Sequence, residues 1–466
     1  RAVPDDSFIF HAGRNDFSRW FNTRGLFSIA RLFRQYTNSD FESVPEMKNF
    51  VYHAIDLYRK GISSAQVAEF NPSHIDPKIL FLKLGEGSVG GKARGLSFLN
   101  HMIAAHSLTE KYKNLSIGIP RTLFISSDFY EEFIESNMLE KFAGKNVLSD
   151  QDILLHFLSL QLPDRLMWNL RMYLNTVSKP LAVRSSSKLE DSYYQPFAGV
   201  YKTYMVPGCS DQEKLLGDVC DAIKAVYASV FLKESRSYIQ SVAAVIDEEK
   251  MAVVVQEVSG NIWGNYYFPV AAGVLRSLNY YAVKPEKPED GIVTIALGLG
   301  KHVVDNEPSL RFCPVYPKRQ FQHSVEEIVR ESQKTFYSIN LNTADFIPDL
   351  DAESTLVKRK ISEAPSEILS LTASSYELES NSLTNSPFST GRKVITFNNL
   401  LQNNTIPFAE ALCEVMQISC SEMNSQVEIE FAIEKDMVNT GVFILHLLQI
   451  RPLANVFSSI DPDPGK

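Results

Sequence analysis

The sequence predicts an α+β protein of more than one lobe, and three observations carry that expectation. Hydrophobic residues make up 44% and charged residues 22% of 466 positions, a balance typical of a globular chain long enough for two or three domains. Short apolar runs of strand length, such as 251–258 (MAVVVQEV), are mixed with segments of helical period, such as Leu166, Leu170, Tyr173 and Val177. The two kinds alternate without the steady strand–helix–strand rhythm of a doubly wound sheet, which favours α+β over α/β.

Taken in order, residues 1–80 are aromatic-rich and helical in pattern. The stretch 17–34 (FSRWFNTRGLFSIARLFR) puts Leu26, Ile29, Ala30 and Phe33 on one helical face. It reads as a helix packed on the next domain, or as a docking or dimer helix that would make a homo-oligomer. The run 79–84 (ILFLKL) reads as a buried strand, followed by glycines and a helix through Leu96, Leu99 and Ile103. Residues 117–126 (IGIPRTLFIS) read as extended, and 251–258 has the continuous apolar character of a central strand. The segment 362–390, rich in Ser, Asn, Glu and Thr, reads as a surface excursion or mobile linker. A helix over 408–418 and strands over 427–433 and 442–450 follow. The expected division is a helical segment 1–80, a first lobe 81–260, a second lobe 261–455 with a mobile insert near 362–390, and a linker 456–466.

The formal charge of −9 argues against a nucleic-acid partner, which would favour a basic face. The five cysteines form no CxxC pair and read as reduced thiols. No apolar run reaches the roughly 18–20 residues of a membrane-spanning helix. With no signal-like stretch at RAVPDDSF, the expected compartment is the cytoplasm, and the missing initiator Met suggests a start inside a longer gene product.

Three segments carry chemistry. In Gly85-Glu86-Gly87-Ser88-Val89-Gly90-Gly91-Lys92, glycines allow close backbone approach to a phosphate, helix-opening N–H groups favour anions, and Lys92 adds a positive charge. A phosphate loop of the GxxxxGK[ST] kind fails, because position 86 is Glu and position 93 is Ala. GxGxxG is formally met, yet no strand ending in an acid follows some 20 residues later, and a plain tight turn remains an equal reading. In Leu181-Ala182-Val183-Arg184-Ser185-Ser186-Ser187, a strand delivers an arginine into a Ser-rich turn, which suits a phosphate clamp; pairing with Glu190 is the other reading. In 428–433 (EIEFAI) and 447–452 (LLQIRP), strand alternation puts Glu428 and Glu430 on one face, and Gln449 and Arg451 on one face of the partner. Such polar groups on apolar strands are costly to bury unless satisfied, so they either hold magnesium and phosphate or form a structural Glu–Arg pair.

Read in order, VGGKARGL, IGIPRTLFIS, LAVRSSSKLED, FAG, MAVVVQEV, IALGLG, VEIEFAI and LLQIRPL resemble the ATP-grasp nucleotide domain of the phosphoenolpyruvate synthase, pyruvate phosphate dikinase and rifampin phosphotransferase family, over roughly residues 80–455. The resemblance implies a multi-lobed ATP-grasp fold that binds ATP with Mg2+. It implies that Gly90, Gly91 and Lys92 contact ATP phosphates, that Arg184 stabilises charge on the phosphoryl group in transfer, and that Gln256 and Glu257 end the strand behind adenine and ribose. It also implies that Glu430 and Gln449 lie near the metal and that Arg451 meets the triphosphate, with Lys92, Arg184 and Arg451 as the catalytic cations. Family chemistry passes a phosphoryl group from ATP to a histidine on a swivelling carrier domain, and then to pyruvate or a similar acceptor. Phosphoryl transfer rests mainly on positioning and charge neutralisation, for which a Lys, two Arg and magnesium are adequate.

Two departures stand out. Gly298-Leu299-Gly300-Lys301 replaces the family's GLGE, and 261–281 (NIWGNYYFPVAAGVLRSLNYY) replaces its usual turn and Thr-Asn-Pro segment. None of the nine histidines sits in the carrier's Thr-Ser-His context, so the carrier is expected in cis in a longer protein or in trans. The departures leave open a catalytically silent nucleotide sensor or scaffold; a dinucleotide-dependent oxidoreductase, resting on GxGxxG alone, is a distant third.

Overall fold

The computed structural model describes residues 4–23, 33–34, 36–37, 40–41, 43–52, 55, 67–72, 79–139, 148–187, 201–241, 250–319, 324–342, 346–386, 388–403, 405–439 and 441–453. The chain divides into two compact units, 1–66 and 67–466. The smaller holds helices Asp5–Gly13 and Asp16–Thr23 around an aromatic nucleus in which Phe21 and Phe33 stack at 5.4 Å. The expected helical face is traceable only at Phe33, which is buried; Leu26, Ile29 and Ala30 lie outside the described residues. The division falls at 66, not at 80, because Ala68–Glu69 pairs in parallel with Phe81–Leu84 and so belongs to the larger unit.

The larger unit has two six-stranded sheets. The first runs Ala68–Glu69, Phe81–Leu84, Thr122–Ile125, Ala252–Glu257, Leu181–Ser186, Thr203–Val206. The run expected to be central, 251–258, is indeed an inner strand, between Thr122–Ile125 and Leu181–Ser186. Side-chain alternation splits its residues between two cores. Leu123, Val183, Val253 and Val255 pack with residues of helices Ser127–Ser136, Asp150–Ser159, Asp164–Leu174 and Gln212–Ser229. Phe81, Phe124, Ala182 and Val254 belong instead to the core shared with the second sheet. Leu166, Leu170 and Tyr173 are fully buried on the helix that their spacing predicts.

The second sheet runs Leu310–Phe312, Ile292–Ala296, Ala271–Arg276, Val427–Lys435, Phe443–Pro452, Leu115–Gly118. Helices Gly90–Ala105 and Phe408–Met423 cover the face carrying Ile429, Phe431, Leu445, Leu447 and Ile450. Gly95 is required there, since a Cβ would come within 2.7 Å of the Ile450 carbonyl. The opposite face carries Arg276, Glu428, Glu430, Gln449 and Arg451, because these alternate with the apolar set.

Residues 117–126 carry two strands that part between the sheets: Leu115–Gly118 pairs with Phe443–Pro452, whereas Thr122–Ile125 enters the first sheet. Between them lies Pro120, which has no N–H to donate to a ladder. Leu115–Gly118 is thus the strand from the first 260 residues that enters the second sheet, while all strands of the first sheet lie before residue 260. The stretch 362–390, expected as a surface excursion or mobile insert, is regular structure in its described residues. It forms helix Ser366–Thr372 and strands Ala373–Glu377 and Ser382–Thr384, which with Arg392–Ile395 make a three-stranded sheet. Ile368, Leu369 and Ala373 anchor it in the main core, burial that its polar composition hid. A four-stranded sheet, Leu356–Lys360, Thr335–Asn340, Tyr266–Phe268, Asn261–Trp263, completes the unit.

Candidate functional site

Arg184 joins the two sheets. It projects from Leu181–Ser186 on the same face as Ala182, and its side chain is only 13% exposed. Its Nη2 donates to Gln449 Oε1 at 2.7 Å and to Glu430 Oε2 at 3.2 Å, while Nη1 reaches the Leu448 carbonyl at 3.5 Å. Glu430 and Gln449 face each other across the ladder of Val427–Lys435 and Phe443–Pro452. Immediately beyond this pair the register shifts: Phe431 pairs with Leu447, leaving Leu448 as an extra residue. A bulge of this kind bends the strand and re-aims a backbone group, here the carbonyl offered to Arg184.

One step along the same face, Glu428 lies opposite Arg451 on one side and Arg276 on the other. Arg451 gives both Nε, at 2.8 Å, and Nη2 to Glu428 Oε1. Arg276 Nε donates to Oε2 at 2.6 Å. The cross-hairpin Glu–Arg pair read as an alternative thus exists, between Glu428 and Arg451. Arg276 went unseen in the sequence because its place beside Glu428 depends on a strand pairing across 150 residues. The only local signal is a cation ending an apolar strand.

The glycine loop meets the Ser-rich turn. Gly90 has φ +77°, and a Cβ there would stand 1.9 Å from the Ser186 carbonyl. Lys92, in the first turn of Gly90–Ala105, brings Nζ to 3.5 Å from Ser185 Oγ, beside Arg184. The amides expected to cradle phosphate are already used. Gly90 N–H donates to Ser88 Oγ at 3.3 Å and Gly91 N–H to the Ser187 carbonyl at 3.1 Å. Glu86 and Gly87 give theirs to Asp128, whose carboxyl also accepts from Ser126. Burial opposes the Asp128 charge, but these hydrogen bonds outweigh it and hold its pKa below the usual range. In this conformation both amides are engaged within the protein, and Gly90 permits the close packing of the loop on the Ser-rich turn. Glu190, Asp191 and 197–199 (FAG) lie outside the described residues.

Gln256 is 3% exposed, beside Ala182 in register, and donates to Thr122 Oγ1 at 3.3 Å. Close to this end of the strand is a second charged group that the sequence did not reveal. Glu434, on the same strand as Glu430, accepts from Lys179 Nζ at 2.8 Å and from the Gly260 amide at 2.6 Å, and lies 3.1 Å from His446 Nε2. Burial works against its charge, but His446 and Lys179 prevail and bring its pKa down to about 2. Glu257 moves the other way: burial raises it despite Lys179 and Arg121. Lys301, the family departure, is held by Glu353 at 2.7 Å and Asp305 at 2.9 Å. Burial disfavours its charge, yet those partners raise its pKa overall, so its charge is balanced locally.

Two sheets that face each other, with arginines, a lysine and oxygen donors gathered between them, make this an α+β domain of the nucleotide-binding kind. Residues 86–460 match the family described as pyruvate phosphate dikinase, AMP/ATP-binding domain, about four fifths of the chain, and the chain belongs to that family. It is thus an ATP-binding domain of kinase or phosphotransferase type. No curated protein matches it.

Proposed function

We propose that the cleft around Arg184 binds Mg-ATP and launches a phosphoryl group toward a histidine on a carrier domain, in cis or in trans, from which pyruvate or a similar small acceptor receives it. The observation that carries this reading is Arg184 reaching Glu430 and Gln449 at once, which gathers cation, carboxylate and amide from segments some 250 residues apart. Adenine and ribose lie toward Gln256, and the phosphates run toward Lys92 and the Ser-rich turn, where Gly90 and Gly91 shape the loop that sets the lysine.

Glu430 and Gln449 suit magnesium, which takes one or two protein oxygens and keeps phosphate and water for the rest. Among the described residues Glu430 Oε1 has no hydrogen-bond partner, so one oxygen is open while Arg184 holds the other. When bound, the metal neutralises phosphate charge. On nucleotide binding Arg184 exchanges its bonds to Gln449 and Glu430 for phosphoryl oxygens, a swap that a planar guanidinium on a fixed strand makes with little reorganisation. Lys92 approaches from the other side, and Arg451, steered by Glu428, adds a third cation. Lys301 is occupied by two acids and gives no support to a silent sensor.

Isothermal titration of the intact chain with Mg-ATP tests the binding step: no heat of binding would remove the reading. With labelled ATP and a histidine carrier domain supplied, acid-labile label should appear on the carrier. Arg184→Ala or Arg451→Ala should lower that transfer by about a thousandfold, the scale on which charge-stabilising arginines act in phosphoryl transfer.

A further inference from the structure

We infer that Arg276 is an additional phosphate-binding residue, forming with Arg451 a guanidinium pair for the terminal phosphoryl group of the nucleotide, with Glu428 as the post that sets their spacing. The inference rests on the nucleotide reading of the cleft and extends it to a strand that the segments carrying the family resemblance do not include.

The geometry around Glu428 is more than its own burial requires. Its side chain is 6% exposed, and the two donors from Arg451 already give it a charged partner. Arg276, 53% exposed, adds a second guanidinium to the same carboxylate. Two like charges on one acid repel each other, and the three together leave one net positive charge. Such a cluster is an anion site in waiting, on a chain whose overall charge is −9. Arg276 commits only Nε to Glu428, so among the described residues its two Nη groups have no hydrogen-bond partner; Arg451 likewise keeps Nη1. Glu428 thereby fixes two arginines and leaves their outer donors available, the arrangement that lets planar guanidinium groups take phosphate oxygens.

Position decides which phosphate. Lys179 meets Glu434 and Arg184 meets Glu430, so the first sheet runs beside the strand from Glu434 toward Glu428. Gln256 lies on the Lys179 side of Arg184, since it pairs with Ala182 whereas Arg184 pairs with Val254. A nucleotide with its base toward Gln256 and its phosphates passing Arg184 therefore ends near Glu428. One further step of two strand residues, about 6.6 Å, is the scale of a phosphate or two.

The opposing possibility is that Arg276 only braces Glu428. Titration of the intact chain with Mg-ATP and with AMP, for the natural sequence, Arg276→Gln and Arg276→Lys, separates the two. Arg276→Gln should weaken ATP by roughly tenfold to a hundredfold, the worth of one charged hydrogen bond, and leave AMP within about twofold. Arg276→Lys should recover part of the ATP affinity. Unchanged ATP affinity in Arg276→Gln, or an equal loss for ATP and AMP, overturns the inference while leaving the cleft reading intact. Absence of ATP binding by the natural sequence overturns both.

Discussion

At the scale of single residues, the site rests on groups whose alternatives are poor. Arg184 is nearly enclosed, so Arg184→Lys would preserve charge but not the reach to both Glu430 and Gln449. Transfer by that variant should stay close to that of Arg184→Ala, which a carrier-labelling assay would report; near-normal transfer would show that charge alone suffices. Gly90 is bound by a different constraint. Its positive φ and the 1.9 Å approach to the Ser186 carbonyl exclude any Cβ in the present backbone. Gly90→Ala should therefore lose about 2 kcal/mol or more of stability, the scale of backbone strain and displaced packing, read as a lower denaturant midpoint at constant m. An unchanged midpoint would mean that the loop and the Ser-rich turn can part freely.

At the scale of elements, the glycine loop hangs on the following strand and helix, not on its own turns. Asp128 in helix Ser127–Ser136 accepts the Glu86 and Gly87 amides, and a Cβ on Gly87 would lie 2.8 Å from the Asp128 nitrogen. Asp128→Ala should cost about 1–3 kcal/mol, from the lost hydrogen bonds of Glu86, Gly87, Ser126 and Arg165, and speed amide exchange across 85–91. Unaltered protection there would assign the loop's order to other contacts. This dependence was hidden from sequence reading, which saw four glycines before a lysine and assigned their amides to phosphate. The helix after them was legible from Leu96, Leu99 and Ile103, all buried on Gly90–Ala105. Periodicity reports which face is apolar but not which neighbour takes a backbone donor. For the same reason the extended pattern of 117–126 does not tell that it divides between two sheets: both halves are buried, and only the partners differ.

At the scale of the whole molecule, the legible part of the site was that carried by short motifs. Arg184, Glu430 and Gln449 meet, Lys92 stands beside Ser185, and Arg451 lies one step away on Glu428. Arg276 and the Glu434 cluster depend on contacts between segments distant in sequence, and the Leu448 bulge is a register shift inside the hairpin; local pattern encodes neither. That cluster ties distant parts of the chain together. Glu434 stands in the second sheet, Lys179 just before the Arg184 strand of the first, and Gly260 in the connection between them. With a folded pKa of about 2 against 4.5 for the ordinary carboxyl, Glu434 contributes stability that is fully present above pH 4.5. The contribution is lost as pH falls toward 2, because the unfolded chain binds the proton first. A shift of that size corresponds to about 3 kcal/mol. Glu434→Gln removes the titrating group, so its unfolding free energy should fall less steeply than that of the natural sequence between pH 4.5 and 2. Parallel pH profiles for the two chains would show that the carboxylate does not tie the sheets together through its charge.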